Sequence, residues 1–210
     1  MPQRPHFPLA ERARELFGIE LGRGECERFD RYLDLLGAWS KSVNLISVRT
    51  RGEIVDRHLL DSIAPLRFVR GTAIVADFGS GAGFPAVPLA ILAPATRFFL
   101  VEPRNKRATF LRHVARNLDL ANVRVYEERG EEWVPGEKVD MTIGRAVRPD
   151  LLGELSLRVL SPAGRLVLMR KRNDRDLRIT GFSELERAPY DLPGGEQHEI
   201  VVLRRTSCFT

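Results

Sequence analysis

The apolar residues of this chain follow two different periods, and the change falls near residue 70. From Glu25 to Val43 apolar residues recur at helical spacing, which predicts an amphipathic helix. The members of this apolar stripe are Phe29, Leu33, Leu36, Trp39 and Val43. A second helix is predicted from residue 50 or 51 to residue 63 and ends before Pro65. Residues 1–70 are therefore expected to form a helical extension, with Phe29, Leu36 and Trp39 in its core.

After Gly71 short apolar runs alternate with helical patterns. This alternation is typical of a parallel β-sheet that is covered by helices on both faces. The predicted strands are 73–78, 97–101, 122–126, 139–143, 164–169 and 198–204, and the predicted helices between them are 85–92, 105–118 and 149–160. The segment SPAG, at residues 161–164, reads as a turn before the fifth strand. The sequence thus predicts an α/β domain over residues 71–210.

The composition narrows the class of protein. Of the 210 residues, 43% are hydrophobic and 29% are charged, which is typical of a soluble globular protein. No apolar run approaches the roughly 20 residues that span a bilayer, and the amino terminus lacks the apolar segment of a secretory signal. We therefore expect a cytoplasmic protein without membrane contact. Cys26 and Cys208 have no paired spacing, so we expect no disulfide framework and no bound metal.

Positive charge is concentrated in two segments. The formal net charge is +5, from 33 Lys and Arg against 28 Asp and Glu. Basic side chains cluster in residues 104–116 and again in residues 169–178. Such clusters are either solvated surfaces or contacts to a polyanion such as nucleic acid, and the sequence leaves both interpretations open.

The stretch VADFGSGAGFP, residues 75–85, carries the clearest chemical signal. Gly79, Gly81 and Gly83 can adopt a positive φ, and without side chains they let a ligand lie directly on the main chain. The loop also opens a predicted helix, whose free N–H groups favour an anionic group. A dinucleotide would place its pyrophosphate on such a loop, whereas S-adenosylmethionine (SAM) would place its methionine portion there.

The spacing around this loop favours SAM. The loop reads G-x-G-x-G, whereas the dinucleotide fingerprint is G-x-G-x-x-G. Asp77 precedes the first glycine, and its carboxylate would repel a pyrophosphate but attract an ammonium and a sulfonium. Glu102, at the end of the second predicted strand, can accept hydrogen bonds from ribose hydroxyls in either ligand class. A nicotinamide-dependent oxidoreductase therefore stays open as an alternative.

Several separated blocks carry a family likeness from about residue 29 to residue 203. They are WSKSVNLIS, RHLLDSIAPL, VADFGSGAGFPAVPLAI, NKRATFLRHVARNL, ERGEE, IGRAV and SPAGRLVLM. In their order and spacing the chain resembles the bacterial RsmG (GidB) family, which methylates N7 of a guanine in 16S ribosomal RNA. The resemblance implies a Rossmann-like SAM-dependent methyltransferase fold. In that fold a seven-stranded, mostly parallel sheet is flanked by helices, its last strand is antiparallel, and a helical extension precedes it.

The resemblance also implies roles for individual residues in a SAM site. Gly79 and Phe84 of the glycine loop would contact SAM. Gly130 and Glu131 of ERGEE would lie beside the adenine, and Arg145 of IGRAV would reach the cofactor side of the site. Asp77, Gly81, Gly83 and Glu102 complete the expected cofactor set on the physical grounds given above.

The implied chemistry agrees with the residues present. Guanine N7 carries a lone pair and no proton, so it can attack a methyl group without a general base, and the enzyme must supply alignment and electrostatics. Arg145 follows the fourth predicted strand, at the sheet edge where α/β enzymes bind ligands. We expect it to act in catalysis by positioning the SAM carboxylate or a substrate phosphate. The alternative is a structural ion pair with Asp150 or Glu154.

The expected partner is 16S ribosomal RNA or the small ribosomal subunit, bound by a monomer. The side chains expected to hold RNA phosphates are Arg104, Lys106, Arg107, Arg148, Arg170, Lys171 and Arg172. The family usually has Lys-Gly where this chain has residues 170–172, which leaves the conformation of that loop open. A non-catalytic RNA-binding protein on the same scaffold is a second alternative.

Three polar residues of the extension have open roles. His58 and Asp61 lie at helical spacing, so they are expected to share one face and could hydrogen-bond to one another. They either shape the mouth of the cofactor pocket or form a satisfied polar pair between helices. Asn44 either contributes to the site or caps a turn.

Overall fold

A computed structural model describes residues 8–40, 43–47, 50–172 and 177–206. Its strands are β1 (Ile74–Phe78), β2 (Arg97–Val101), β3 (Val123–Tyr126), β4 (Val139–Arg145), β5 (Leu160–Lys171), β6 (Phe182–Leu192) and β7 (Glu196–Arg205). They form one sheet in the order β3-β2-β1-β4-β5-β7-β6. The pairs among β1 to β5 are parallel, and β7 runs antiparallel to both of its neighbours. The expected Rossmann-like fold class is confirmed.

Helices cover this sheet and precede it. They are α1 (Pro8–Phe17), α2 (Arg23–Trp39), α3 (Arg51–Ile54), α4 (Leu60–Ile63), α5 (Leu66–Val69), α6 (Ala86–Leu92), α7 (Asn105–Asn117) and α8 (Pro149–Val159). The helix predicted over residues 51–63 is present, but a π-helical segment, Val55–Leu59, separates α3 from α4. Helix α2 ends at Trp39, before the predicted Val43, and α1 was not predicted.

Strand β6 was not predicted from the hydrophobic pattern, because it lies at the edge of the sheet. Most of its side chains are exposed or partly exposed, and its sequence FSELERAPYDL mixes charges with a proline. Edge strands tolerate both features, since only one side of the strand must pair.

Strand β5 begins at Leu160, four residues earlier than the pattern predicted. Its pairing with β4 jumps from Val139 opposite Leu160 to Met141 opposite Arg165. The predicted turn over residues 161–164 is therefore an irregular insertion within the strand pairing, in the manner of a β-bulge.

The helices of the extension and the sheet share one hydrophobic core. Leu9, Phe29 and Leu36 are fully buried and belong to the same cluster as residues of β1, β2 and α7. Trp39 is partly buried, and its ring lies 5.5 Å from that of Phe110. The assignment of Phe29, Leu36 and Trp39 to the core is confirmed. The division into residues 1–70 and 71–210 stays a prediction.

Helix α2 also supports the glycine loop directly. The buried Tyr32 hydroxyl donates a hydrogen bond of 2.6 Å to the carbonyl oxygen of Ala82. At Gly83, where φ is +98°, a Cβ atom would lie 2.6 Å from Val87 Cγ2 and 3.0 Å from the Tyr32 hydroxyl. The loop conformation therefore requires glycine at position 83, both for its backbone torsion and for the space that α2 and α6 leave.

We expect Gly83→Ala to lower the free energy of unfolding by about 1–3 kcal/mol, because the new Cβ is strained and collides with Val87. Urea denaturation checks this value. The matched control is Gly24→Ala in α2, where a Cβ would meet no atom within 4 Å. That change should leave stability unchanged or raise it by up to about 1 kcal/mol. Equal stability of the two variants would contradict the analysis.

Candidate active site

The glycine loop lies at the carboxyl end of β1, where it presents bare backbone. The Gly79 N–H donates to the carbonyl oxygen of Val101, at 2.8 Å, so the loop is tied to the end of β2. Gly79 and Gly81 have φ values of +71° and +58°. A Cβ built at the exposed Gly79 would contact only Val147 Cγ2, at 3.8 Å. The main chain at this point is open to a ligand.

Asp77 is a buried carboxyl beneath this loop, and one of its oxygen atoms lacks a partner among the described residues. Among the described residues its Oδ2 atom has no hydrogen-bond partner. Burial raises the pKa of Asp77 to about 8, although the Ser80 hydrogen bond and the charge of Arg145 oppose the rise. A buried acceptor without a partner is unfavourable. A bound cation such as an ammonium group would satisfy it.

Glu102 fixes the other side of the loop. Its buried carboxylate accepts hydrogen bonds from the Gly81 N–H, at 2.9 Å, and from the Arg104 N–H, at 3.0 Å. Each carboxylate oxygen has a second lone pair, so both can still accept a further hydrogen bond. Glu102 therefore positions the loop and keeps acceptor capacity for hydroxyl groups.

A cavity of about 220 Å³ opens beside Gly79. Its lining residues are Phe78, Gly79, Val101, Pro103, Arg129, Gly130, Glu131, Val147, Leu151 and Leu155. A Cβ at Gly130 would lie 2.8 Å from Leu155 Cδ1, so the wall has no room for a side chain at that position. The structure thus brings Gly79, Gly130 and Glu131 to one mostly apolar cavity. The volume and the apolar walls suit a weakly polar ring system.

A larger cavity, of about 550 Å³, lies on the other side of Val147, which lines both. Its other lining residues are Ser47, Arg57, His58, Asp61, Arg145, Ala146, Pro149, Leu168, Met169, Arg170, Lys171, Glu196 and His198. Charged and polar groups dominate this set. The arrangement places a small, mostly apolar cavity next to a larger cavity that several charged side chains line, at the carboxyl edge of the sheet, where ligands bind in α/β enzymes.

Arg145 lies between the loop and the larger cavity, at the end of β4. Its Nη1 atom pairs with Asp61 Oδ2 at 2.9 Å, and its Nη2 atom lies 3.3 Å from His58 Nδ1. Its guanidinium carbon lies 5.1 Å from the centroid of the Phe84 ring, within the range of a cation–π contact. The ion pair considered with Asp150 or Glu154 is not seen among the described contacts, because Arg145 turns to the extension.

Asp61 is the centre of this polar network. Its Oδ1 atom accepts hydrogen bonds from the Tyr190 hydroxyl, at 2.5 Å, and from His198 Nδ1, at 3.0 Å. Burial by itself raises the pKa of Asp61, but the hydrogen bonds from His198, Tyr190 and Arg145 and the charge of Arg145 outweigh burial and hold the pKa below its ordinary value. Asp61 is thus an anion at neutral pH.

His58 does not bond to Asp61 directly, contrary to one of the expectations. The π-helical segment has more residues per turn than an α-helix, so an i, i+3 pair across it no longer faces one another. The two residues are linked through Arg145. The His58 ring stacks on Phe84 with centroids 5.1 Å apart. Burial and then the charge of Arg145 lower the pKa of His58 to about 4, so the ring is neutral.

The basic residues expected to hold RNA fall into two groups. Those with exposed side chains are Arg104, Lys106, Arg148, Lys171 and Arg172. Arg107 is partly buried and donates to the carbonyl oxygen of Asn44 at 3.1 Å. Arg170 is also partly buried, and it pairs at 2.6 Å with the buried carboxylate of Glu199. Arg107 and Arg170 therefore already hold structural contacts.

Four residues that support or surround the candidate site were not predicted from the sequence. Tyr32 supports the glycine loop, and Tyr190, Glu196 and His198 surround the larger cavity or its network. Two adjacent titratable residues before an apolar run, in the sequence HEIVV, were the available signal for His198 and Glu199. Nothing local marks Tyr190 or Glu196, because they reach the site only through the β6–β7 hairpin.

Three further observations concern the cysteines, possible metal ligands and possible membrane spans of the described residues. Cys26 is an unpaired thiol in α2, and Cys208 lies outside the described residues. No group of three or more His, Cys, Asp or Glu in the described part of the chain could hold a metal ion. Within residues 8–40, 43–47, 50–172 and 177–206, no helix is both long and apolar enough to cross a bilayer.

The sheet order and the glycine loop define a Rossmann-like methyltransferase fold. TrmN from Thermus thermophilus superimposes with a TM-score of 0.53 at 23% identity, over 70% of this chain and 49% of that one. TYW2 from P. horikoshii, solved in complex with MeSAdo, gives a TM-score of 0.57 at 16% identity, over 70% and 62%. At these identities the likeness shows the fold.

Sequence comparison identifies the family. Residues 25–183 match the GidB family, rRNA small subunit methyltransferase G. The ribosomal RNA small subunit methyltransferase G of Chloroflexus aggregans is 36% identical over 90% of this chain and 85% of its own length. That of Aromatoleum aromaticum is 36% identical over 90% and 93%. The chain belongs to this family of methyltransferases, which confirms the resemblance and the enzyme class and favours them over the oxidoreductase alternative.

The raised pKa of Asp77 predicts a pH dependence of stability. Between about pH 4 and pH 8 the folded protein keeps this carboxyl protonated, whereas the unfolded chain releases the proton. The contribution of Asp77 to stability is thus present at low pH and lost as the pH rises to about 8. Asp77→Asn cannot ionise. We expect its unfolding free energy, relative to the unchanged protein, to rise by about 2–5 kcal/mol from pH 4 to pH 8. Urea denaturation at several pH values checks this, and parallel profiles would contradict it.

Proposed function

We propose that this protein transfers a methyl group from SAM to N7 of one guanine in 16S ribosomal RNA. The observation that carries the proposal is the buried, unpartnered Asp77 carboxyl beneath an open glycine loop, with an apolar and a polar cavity meeting beside it. Family membership supports a small-subunit ribosomal RNA substrate. SAM supplies an electrophilic methyl group on a sulfonium. The residues of the chain bind SAM and align the guanine base with that methyl group.

The residues proposed to hold SAM fit its chemical groups. Asp77 offers its free oxygen to the ammonium, and Glu102 offers its remaining lone pairs to the ribose hydroxyls. The smaller cavity accommodates the adenine. The full proposed set is Asp77, Gly79, Gly81, Gly83, Phe84, Glu102, Gly130, Glu131 and Arg145. The apolar walls and the few convergent polar groups are typical of a cofactor site.

Arg145 is proposed as the positioning residue of the reaction. Guanine N7 needs no proton removed, so the chain's task is to fix the base at the correct distance and angle. Asp61, His58 and Phe84 hold the guanidinium of Arg145 in place at the boundary of the two cavities. A guanidinium fixed in this way can hold a SAM carboxylate or an RNA phosphate by paired hydrogen bonds.

The RNA is proposed to lie across the basic edge of the site. The phosphate contacts are assigned to Arg104, Lys106, Arg107, Arg148, Arg170, Lys171 and Arg172. Five of these side chains are exposed, while Arg107 and Arg170 combine the role with the contacts described above. We further propose that a monomer acts on 16S RNA or the small subunit in the cytoplasm. Residues 71–210 would be the methyltransferase domain and residues 1–70 its helical extension.

The direct test uses labelled SAM and small ribosomal subunits that lack N7-methylguanosine. We expect label in the RNA and N7-methylguanosine among its nuclease products, identified by mass spectrometry. Arg145→Lys keeps the charge but loses the forked geometry, so we expect kcat to fall roughly 10- to 100-fold. Label at another atom, or calorimetry that shows tight NADH binding without SAM binding, would contradict the proposal. No transfer despite RNA binding would favour the non-catalytic alternative.

Phosphate contacts make RNA affinity fall with salt. We expect the affinity for 16S RNA to drop steeply between 50 and 200 mM salt. Lys106→Gln removes one proposed contact, so the slope of log affinity against log salt should become shallower by about 0.7–0.9. Arg23→Gln, an exposed arginine outside both basic segments, is the control and should keep the original slope. An affinity indifferent to salt would remove this part of the proposal.

A further inference from the structure

Glu196 places a carboxylate on the wall of the larger cavity, at the first residue of β7. Its Oε1 atom accepts a hydrogen bond of 2.8 Å from Arg57 Nη2. Its Oε2 atom has only long contacts, 3.4 Å to Lys171 Nζ and 3.5 Å to His198 Nε2. The side chain is 31% exposed. Because both contacts to Oε2 are longer than a strong hydrogen bond, a ligand that brings closer donors can compete with them.

Among the described residues that line this cavity, the carboxylates are Asp61 and Glu196. Asp61 is 4% exposed, and donors from Arg145, Tyr190 and His198 lie within 3.0 Å of its oxygens. An ionised carboxylate has about four acceptor positions. Three donors contact each carboxylate, but those of Asp61 are all close and enclosed, whereas two of the three on Glu196 are long and its side chain is partly exposed. Glu196 is therefore the carboxylate that a ligand in the cavity can reach.

Glu196 is an anion and so can only accept. Burial raises the pKa of Glu196, but hydrogen bonds from His198 and Lys171 and the charges of Lys171 and Arg57 outweigh burial, so the pKa lies below its ordinary value. The basic neighbours keep the carboxylate charged throughout the neutral pH range.

Attack by N7 cannot by itself select guanine, because adenine also carries an N7 lone pair. The two purines differ at the opposite edge of the base. Guanine presents N1–H and N2–H donors there, whereas adenine presents an N1 acceptor. Enzymes that act on a base taken out of its stack read this edge by hydrogen bonds. A carboxylate accepts both guanine donors and repels the adenine acceptor.

We propose that Glu196 is a specificity-determining residue that accepts hydrogen bonds from N1–H and N2–H of the target guanine. This inference rests on the proposed function. The larger cavity extends from Val147, which it shares with the smaller cavity, to Glu196. A guanine with N7 at the Val147 end directs its other edge to Glu196, and Leu168 and Met169 provide apolar surface for the ring.

The test replaces the target guanosine by inosine, which lacks only the N2 amino group. The unchanged enzyme first locates the methylated guanosine, and 16S RNA is then assembled with inosine at that position. We expect the unchanged enzyme to favour guanosine over inosine in kcat/KM by roughly 10- to 100-fold, as for a hydrogen bond to a charged acceptor. In Glu196→Ala the guanosine rate should fall by at least this factor, and the ratio should approach one.

Two control variants distinguish recognition of the guanine base by Glu196 from effects of losing an ion pair or a surface charge. Arg57→Ala removes the ion pair of Glu196 but leaves the carboxylate, and it should keep the preference for guanosine. Glu186→Ala removes an exposed carboxylate paired with Arg67, away from the cavity lining, and should change neither rate. SAM affinity, measured by calorimetry, should be unchanged in Glu196→Ala, since Glu196 does not line the smaller cavity.

The outcomes distinguish this inference from the function on which it rests. If the unchanged enzyme forms no N7-methylguanosine, the proposed function fails and the inference fails with it. If the unchanged enzyme forms the product and Glu196→Ala keeps the guanosine preference, only the inference is overturned. Loss of the preference in Arg57→Ala to the same extent as in Glu196→Ala would also overturn it.

Discussion

The buried ion pair between Asp61 and Arg145 is the contact on which the site depends. It joins the helical extension to the end of β4, and Tyr190 and His198 attach β6 and β7 to the same carboxylate. A buried ion pair is weak evidence for stability, because removing two charges from water offsets much of their attraction. Here the ion pair serves to fix the position of the Arg145 guanidinium. Asp61 accepts from Tyr190 and His198 as well as from Arg145. The carboxylate is therefore fixed, and it holds the guanidinium of Arg145 near the ring of Phe84 in the glycine loop.

This pair also explains why two buried carboxyls near one arginine behave differently. Asp61 accepts a hydrogen bond from Arg145 and has a lowered pKa, whereas Arg145 acts on Asp77 only through its charge and the pKa of Asp77 is about 8. Because Asp61 already neutralises the guanidinium, little compensation is left for Asp77. Asp77 is therefore protonated at neutral pH, and a cation bound beneath the glycine loop would favour its ionised form. An ammonium group would have this effect, whereas a pyrophosphate would oppose the ionisation.

The sequence predicts the parts of the site that are local and misses those that the topology assembles. Gly79 and Glu102 follow predicted strands and Asp77 is the next-to-last residue of one, so their meeting at one sheet edge could be foreseen from parallel pairing alone. Tyr190 and Glu196 could not, because they belong to a polar edge hairpin whose strands carry little periodic signal. The partner of Arg145 was also missed. Local spacing pointed to α8, but the chain finds its counterion in a segment 84 residues away.

The junction of the two cavities depends on the backbone at Ala146. This residue has a φ of +60°, a left-handed conformation that costs a residue with a Cβ about 1–2 kcal/mol. The reversal sends Arg145 to the network around Asp61 and Val147 to the loop, where it approaches Gly79. In a continued extended strand the side chains of Arg145 and Val147, two residues apart, would point to the same face of the sheet. The strain at Ala146 is thus tied to the positions of Arg145 beside Phe84 and of Val147 beside Gly79, where Val147 lines both cavities.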